Sequence, residues 1–166
     1  MGRIHVGRLA TMLILAAALF VTAGTAPIRA VNAQAKPPSL YERLGGVYSI
    51  ATVVDDFIER LFVNRTLDAN PAVNAATARV GKAGLKFHVT ALVCAATGGP
   101  CIYAGRSMKD AHEQLDITPA QWDAMVADFK TTLDKFKVPH VEQQELIAIV
   151  GTTKNDIVRA SPASQR

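Results

Sequence analysis

The sequence predicts an all-α domain, on three observations. Apolar residues recur at three- and four-residue spacing in four long segments. Helix-start chemistry stands ahead of two helices. Nowhere does apolar–polar alternation run long enough to make a strand.

Residues 34–38, Gln-Ala-Lys-Pro-Pro, read as a linker into the domain. Ser39 is a helix N-cap with Glu42 three positions on, the reciprocal pattern of a capping box, and Gly45-Gly46 ends the short helix Leu40 to Leu44. Ile50, Val53, Val54, Phe57, Ile58, Leu61 and Phe62 then form one apolar face. Asp55, Asp56, Glu59 and Arg60 fill the other. The stretch Asn64 to Asn74, with turn chemistry at Asn70-Pro71, is expected as a connection holding at most one helical turn.

A second long helix is expected from about Ala76 to Ala96, with Leu85, His88, Val89, Leu92 and Ala96 on one stripe and Gly98-Gly-Pro as its stop. Thr118-Pro-Ala-Gln121 opens the next, with proline at the first helical position. Trp122, Met125, Val126, Phe129, Leu133 and Phe136 carry it to about Lys137. After Val138-Pro139 a last helix holds Val141, Leu146, Ile147, Ile149, Val150 and Ile157. About five helices result, with no internal repeat.

The first 33 residues stand apart from this pattern. Arg3 and Arg8 precede an apolar run from Leu9 to Ala23, and small residues follow up to Ala33. This is the layout of a cleaved secretory signal peptide, and the run is short for the roughly 20 residues of a membrane span. Without this leader Lys+Arg falls from 18 to 15 against 14 acidic residues. The remaining chain is close to neutral, so nucleic-acid binding loses its electrostatic support. The expected organisation is a leader at 1–33, a linker at 34–38, one domain at 39–158 and a disordered tail at 159–166. The expected location is the periplasm, with no stable membrane span.

Cys94 and Cys101, the only cysteines, flank the Gly98-Gly99-Pro100 turn. Two readings are open. A disulfide would close a small loop worth on the order of 2 kcal/mol, whereas a helical Cys94 facing the core would be an inert small hydrophobe. Neither cysteine lies in a zinc or Cys-x-x-Cys-His pattern. No nucleophile-elbow motif is present, which disfavours a hydrolase. His112 shares a helical face with Met108, Ala111 and Leu115. On that evidence alone it is more readily a satisfied core histidine than a metal ligand.

Five motifs taken together are more specific. Leu40-Tyr-Glu-Arg-Leu-Gly-Gly46 opens the domain, and Val53-Val-Asp-Asp-Phe57 follows within the first long helix. Then come Gly98-Gly-Pro-x-x-Tyr-x-Gly-Arg-Ser-Met108, His112, and Val138-Pro139 before the last helix. In this order the chain resembles the truncated haemoglobins, most closely group 1, whose fold is a two-over-two helical sandwich. The resemblance covers Ser39 to about Val158.

It implies non-covalent haem b, with His112 as the proximal iron ligand. Met108 and Leu115 would pack beneath the porphyrin, Tyr103 would lie near its edge, and Leu92 would line the same cleft. The distal side departs from the family pattern. Ile58 and Val89 stand where many members carry a tyrosine and a glutamine that bond bound oxygen, and Leu85 holds another commonly polar lining position. None of the three can donate a hydrogen bond. His88 matches a position where some cyanobacterial members carry a histidine that coordinates the iron from the second side; a haem-edge residue paired with a propionate is the other reading. His140 is expected as a solvated loop residue.

The implied function is an exported haem protein that binds O2, NO or CO at a His-ligated iron. The alternatives are a bis-histidine electron-transfer or redox-sensing protein, and a haem-free helical module for periplasmic interactions. No catalytic residue is assigned. NO dioxygenation or a peroxidase-like side activity would need an electron donor, and the apolar distal positions weigh against efficient dioxygenation.

Overall fold

Five of the eight helices among the described residues begin where a side-chain oxygen takes one or more of the first unpaired backbone N–H groups. The computed structural model describes residues 36–159; the leader, the first part of the linker and residues 160–166 lie outside the described residues. In chain order the helices are α1 (Leu40–Arg43), α2 (Gly46–Val63), α3 (Arg65–Asp68), α4 (Pro71–Ala96), α5 (Met108–His112), α6 (Pro119–Lys135), α7 (His140–Thr152) and α8 (Lys154–Ile157). The described residues contain no strand, only an isolated parallel bridge between Ile117 and Val158. The all-α expectation holds.

The capping box read at Ser39 forms, and the helix start read at Thr118 proves to be a second one. The Ser39 hydroxyl accepts from the Glu42 N–H, and the Glu42 carboxylate accepts from the Ser39 N–H at 2.7 Å. Thr118 and Gln121 make the same exchange at the head of α6. Each satisfies donors that the first helical turn leaves unpaired.

The segment 64–74 meets expectation in its first part, where α3 is the one helical turn, and departs from it at Asn70. Asn70-Pro71 is the N-cap and first residue of α4, with the Asn70 carbonyl oxygen Oδ1 accepting from the N–H groups of Ala72 and Val73. The helix therefore starts five residues earlier than the apolar stripe suggested. It is interrupted at Gly81, whose φ of 72° is open to glycine at little cost. The stripe that begins at Leu85 belongs to the half of α4 that follows this break. At the other end α6 stops at Lys135, and His140 is the exposed first residue of α7 rather than a loop residue.

Two helix pairs, α2 with α4 and α6 with α7, form the sandwich, joined where α2 packs on α6. The core is Leu40, Ile50, Val54, Phe57, Ile58, Cys94, Phe129, Leu133 and Leu146. Phe57 and Phe129 meet at 5.1 Å between ring centroids in a tilted arrangement, a geometry worth about 0.5–1.5 kcal/mol beyond area burial. Asp56, on the polar face in the sequence pattern, does more than face solvent. Its carboxylate takes hydrogen bonds from Arg60 (2.8 Å), Lys135 and the buried Thr132 hydroxyl (3.0 Å), tying α2 to α6. Those partners hold its pKa down to about 2.

Candidate haem site

The short helix α5 is built around its last residue. Ser107 caps it by accepting from the Asp110 N–H at 3.0 Å. One turn further, His112 Nδ1 lies 2.8 Å from the Met108 carbonyl oxygen. A carbonyl can only accept, so a neutral imidazole must carry its proton on Nδ1 and leave Nε2 as a bare lone pair. Burial lowers the His112 pKa; the Met108 carbonyl raises it in part, and the positive charge of Arg106 lowers it again. The side chain is half-buried. It is thus held neutral and oriented, the state in which imidazole ligates a metal.

The segment before α5 is shaped by Tyr103. Its hydroxyl donates to the Arg106 carbonyl at 2.7 Å, and its ring lies against Gly105 so closely that a Cβ there would collide with it. Arg106 in turn donates to the Asp110 carbonyl. Beyond α5, the Asn70 amide donates to the Leu115 carbonyl at 2.8 Å, and Arg159 N–H donates to the Ile117 carbonyl at 2.8 Å. Helix α5 itself rests on α8.

Leu85 and Val89 of α4 are half-buried against the core that contains Ile58, which is 1% exposed. The three expected distal residues therefore belong to one apolar region. Leu92, Met108 and Leu115 are half-buried without joining that core packing. His88 is half-buried, edge-on to Phe87 at 5.5 Å and to Tyr103 at 6.4 Å between ring centroids. Among the described residues neither of its ring nitrogens has a hydrogen-bond partner.

Cys94 and Cys101 are joined in a disulfide. A separate surface groove of about 470 Å³ between Lys36, Ser39, Tyr41 and the Gly98–Pro100 turn shares no lining residue with this site. Gly105, Arg106 and Ser107 entered the sequence reading only as parts of a motif, with no role assigned to them. A serine three residues before Asp110 was a readable capping signal, whereas the Tyr103–Gly105 contact leaves no mark in periodicity.

Among the described residues no three His, Cys, Asp or Glu side chains gather to chelate a bare ion. A single oriented imidazole beside half-buried apolar side chains suits a metal that brings its own macrocycle, which is the donor set of a globin. The comparisons agree. The family model described as bacterial-like globin matches residues 39–159, and the chain belongs to that family. Within it, the chain is a group 1 truncated haemoglobin. It is 30% identical over 126 residues to the group 1 truncated hemoglobin GlbN of Synechocystis sp., covering 72% of this chain and 97% of that one. The group 1 truncated hemoglobin GlbN of Mycolicibacterium paratuberculosis is 26% identical, with 75% and 87% covered.

Among solved structures, the 2/2 hemoglobin of a Synechococcus species, in the cyanomet state and with covalently attached heme, superposes with a TM-score of 0.61 at 29% identity. That match covers 73% of this chain and 98% of that one. Truncated hemoglobin from Tetrahymena pyriformis gives a TM-score of 0.62 at 21% identity, covering 74% and 100%, and shares the fold. Haem is the cofactor of this family, ordinarily haem b, and the family's proteins bind small diatomic ligands. No helix among the described residues is long and apolar enough to cross a membrane.

Proposed function

We propose that this chain is an exported globin in which His112 ligates the haem iron and the opposite iron face binds O2, NO or CO beneath an apolar wall. The observation that carries the reading is the 2.8 Å contact between His112 Nδ1 and the Met108 carbonyl, which fixes the tautomer and leaves Nε2 free. When bound, haem supplies an iron that accepts a lone pair from a small ligand. The chain's part would be to hold the iron through His112 and to line the space where a small ligand binds. Met108 and Leu115 flank His112 on the proximal side, Leu92 extends the α4 wall, and Tyr103 stands at the edge.

Ile58, Leu85 and Val89 exclude water but offer no donor, so bound oxygen would be held without a hydrogen bond unless His88 supplies one. Absorption spectra of purified protein in ferric and ferrous forms test the reading. A Soret band that collapses in His112→Ala and returns with added imidazole supports it. Colourless wild-type protein that gains no band with haemin would favour a haem-free interaction module instead.

His88 carries a second reading, that of a distal iron ligand. Its favouring observation is a half-buried imidazole with no hydrogen-bond partner among the described residues. Export rests on the basic-then-apolar leader of residues 1–33. Mass spectrometry of the mature N-terminus in the native host tests it; a chain still beginning at Met1 would count against export.

A further inference from the structure

The Cys94–Cys101 disulfide joins two elements that have different tasks under the proposed function. Cys94 lies in the last turns of α4, downstream of Leu85, His88 and Val89, and is fully buried. Cys101 begins the segment that leads to Ser107 and α5. Among the described residues no backbone group from Pro100 to Arg106 pairs with another backbone group. The Tyr103–Arg106 and Arg106–Asp110 hydrogen bonds run within the segment and the helix it enters. Across to α4 it has the edge contact of Tyr103 with His88 and the disulfide. On the far side of His112, Asn70 and Arg159 secure the carbonyls of Leu115 and Ile117. Besides the packing of α5 on α8, His112 is thus held in the chain between those anchors and Cys101.

We propose that the Cys94–Cys101 bond is a positioning clamp for His112, and that opening it loosens the histidine's hold on the haem iron. The inference rests on the reading of His112 as the proximal ligand. A dithiol is the reactant that would open the clamp. Its thiolate attacks the sulfur of Cys101, which is half-buried, whereas Cys94 is shielded. A Cβ on Gly99 would lie only 2.7 Å from the Cys94 sulfur, which shows how closely that turn covers it. A new sulfur–sulfur bond forms at Cys101, and the old bond breaks with its electron pair on Cys94, which takes up a proton. The second thiol of the reagent then attacks the mixed disulfide, releasing the Cys101 thiol and a cyclic oxidised dithiol. Because the leaving sulfur of Cys94 is buried, its thiolate is disfavoured and the first step is slow.

The test uses haem-loaded protein in three forms: oxidised wild type, wild type reduced with dithiothreitol, and the Cys94→Ala/Cys101→Ala variant. Haem transfer to excess apomyoglobin should run about tenfold faster in the two open forms, a fraction of what the lost loop constraint allows. The iron–histidine stretching band of the ferrous form should shift, and reoxidation should restore both readouts. If the double variant does not fold, reduced wild type carries the test alone. A lower melting temperature with an unmoved band and unchanged haem transfer would make the bond a plain staple and overturn the clamp. So would two free thiols in freshly purified protein. A His112→Ala variant that keeps the wild-type band overturns the ligand assignment itself, and the clamp with it. A band that is lost in His112→Ala but indifferent to bond opening overturns the clamp alone.

Discussion

His112 Nδ1 sits 2.8 Å from the carbonyl oxygen of Met108, one turn earlier on the same helix. The contact is local, so any chain that folds α5 makes it. It assigns the proton to Nδ1 without help from a distant residue. A backbone acceptor cannot be mutated away, which makes the ring itself the informative target. His112→Ala should lose most of its haem on desalting, and exogenous imidazole should restore a five-coordinate ferrous spectrum. Retention of full haem content with an unchanged ferrous spectrum would falsify the assignment.

Gly105 is needed for its missing side chain. A Cβ there would run into the Tyr103 ring and hydroxyl, although its backbone is not in the left-handed region. Gly105→Ala should therefore push Tyr103 aside. That costs its hydrogen bond to Arg106 and its contact with His88, about 1–2 kcal/mol together. Tyr103→Ala should cost a similar amount, and the double variant little more than either, because the clash is then gone. Denaturant unfolding of the four proteins decides this. Additive losses would show that the two residues do not act through one contact.

The capping boxes at Ser39 and Thr118 and the stripes of α2 and α6 were legible because their signals are local: a polar residue, its partner three positions on, and a 3.6-residue period. Asn70-Pro71 carries the same signal as Thr118-Pro119, yet it reads as a turn because no strong apolar stripe follows it directly. The Gly81 break interrupts the helix before Leu85, so the stripe that begins there cannot be followed back to Asn70. Asp56 shows a different limit. Its partners Thr132 and Lys135 lie more than seventy residues away, and no pattern along α2 announces them. For the site, His112, Leu85 and Val89 were candidates only through the family resemblance that the motif order carries. The loop contacts among Tyr103, Gly105 and Arg106 became visible only in three dimensions.

Asp56 sets an acid limit on the fold. Its folded pKa of about 2 lies below the model-peptide value of 3.8, so the folded state favours the charged carboxylate. The unfolded chain binds this proton first as pH falls. Its contribution is thus fully present above about pH 4 and is lost as pH drops towards 2. The shift corresponds to at most about 2.5 kcal/mol, and solvent screening around Lys135 reduces it to roughly 1 kcal/mol. Asp56→Asn should lower stability by about that amount at pH 6, with the difference from wild type shrinking at pH 2.5. Urea titrations at the two pH values provide the check; an equal gap at both would assign the effect to packing rather than charge.

The distal wall makes a prediction in the direction of gain. Under the proposed function Ile58, Leu85 and Val89 would present only carbon to a ligand, and His88 is a polar side chain between Leu85 and Val89 on α4. A hydrogen bond to a charged or polarised oxygen ligand is worth roughly 1.5–3 kcal/mol, or one to two orders of magnitude in dissociation rate. Wild-type protein should therefore release oxygen quickly, and Val89→Gln, which puts a donor at a half-buried position on the wall, should slow release about tenfold or more. His88→Ala separates the two roles open to that residue. If His88 ligates iron, wild type should be low-spin in the ferric state, and the variant should turn high-spin and bind carbon monoxide faster. If His88 only borders the haem, the ferric spectrum should stay high-spin in both proteins. Stopped-flow measurements on the single and double variants resolve this, since a donor at position 89 can act at full strength only where His88 does not already occupy the sixth position. Slow oxygen release in wild type that survives His88→Ala would mean that the wall holds a donor other than the residues named here.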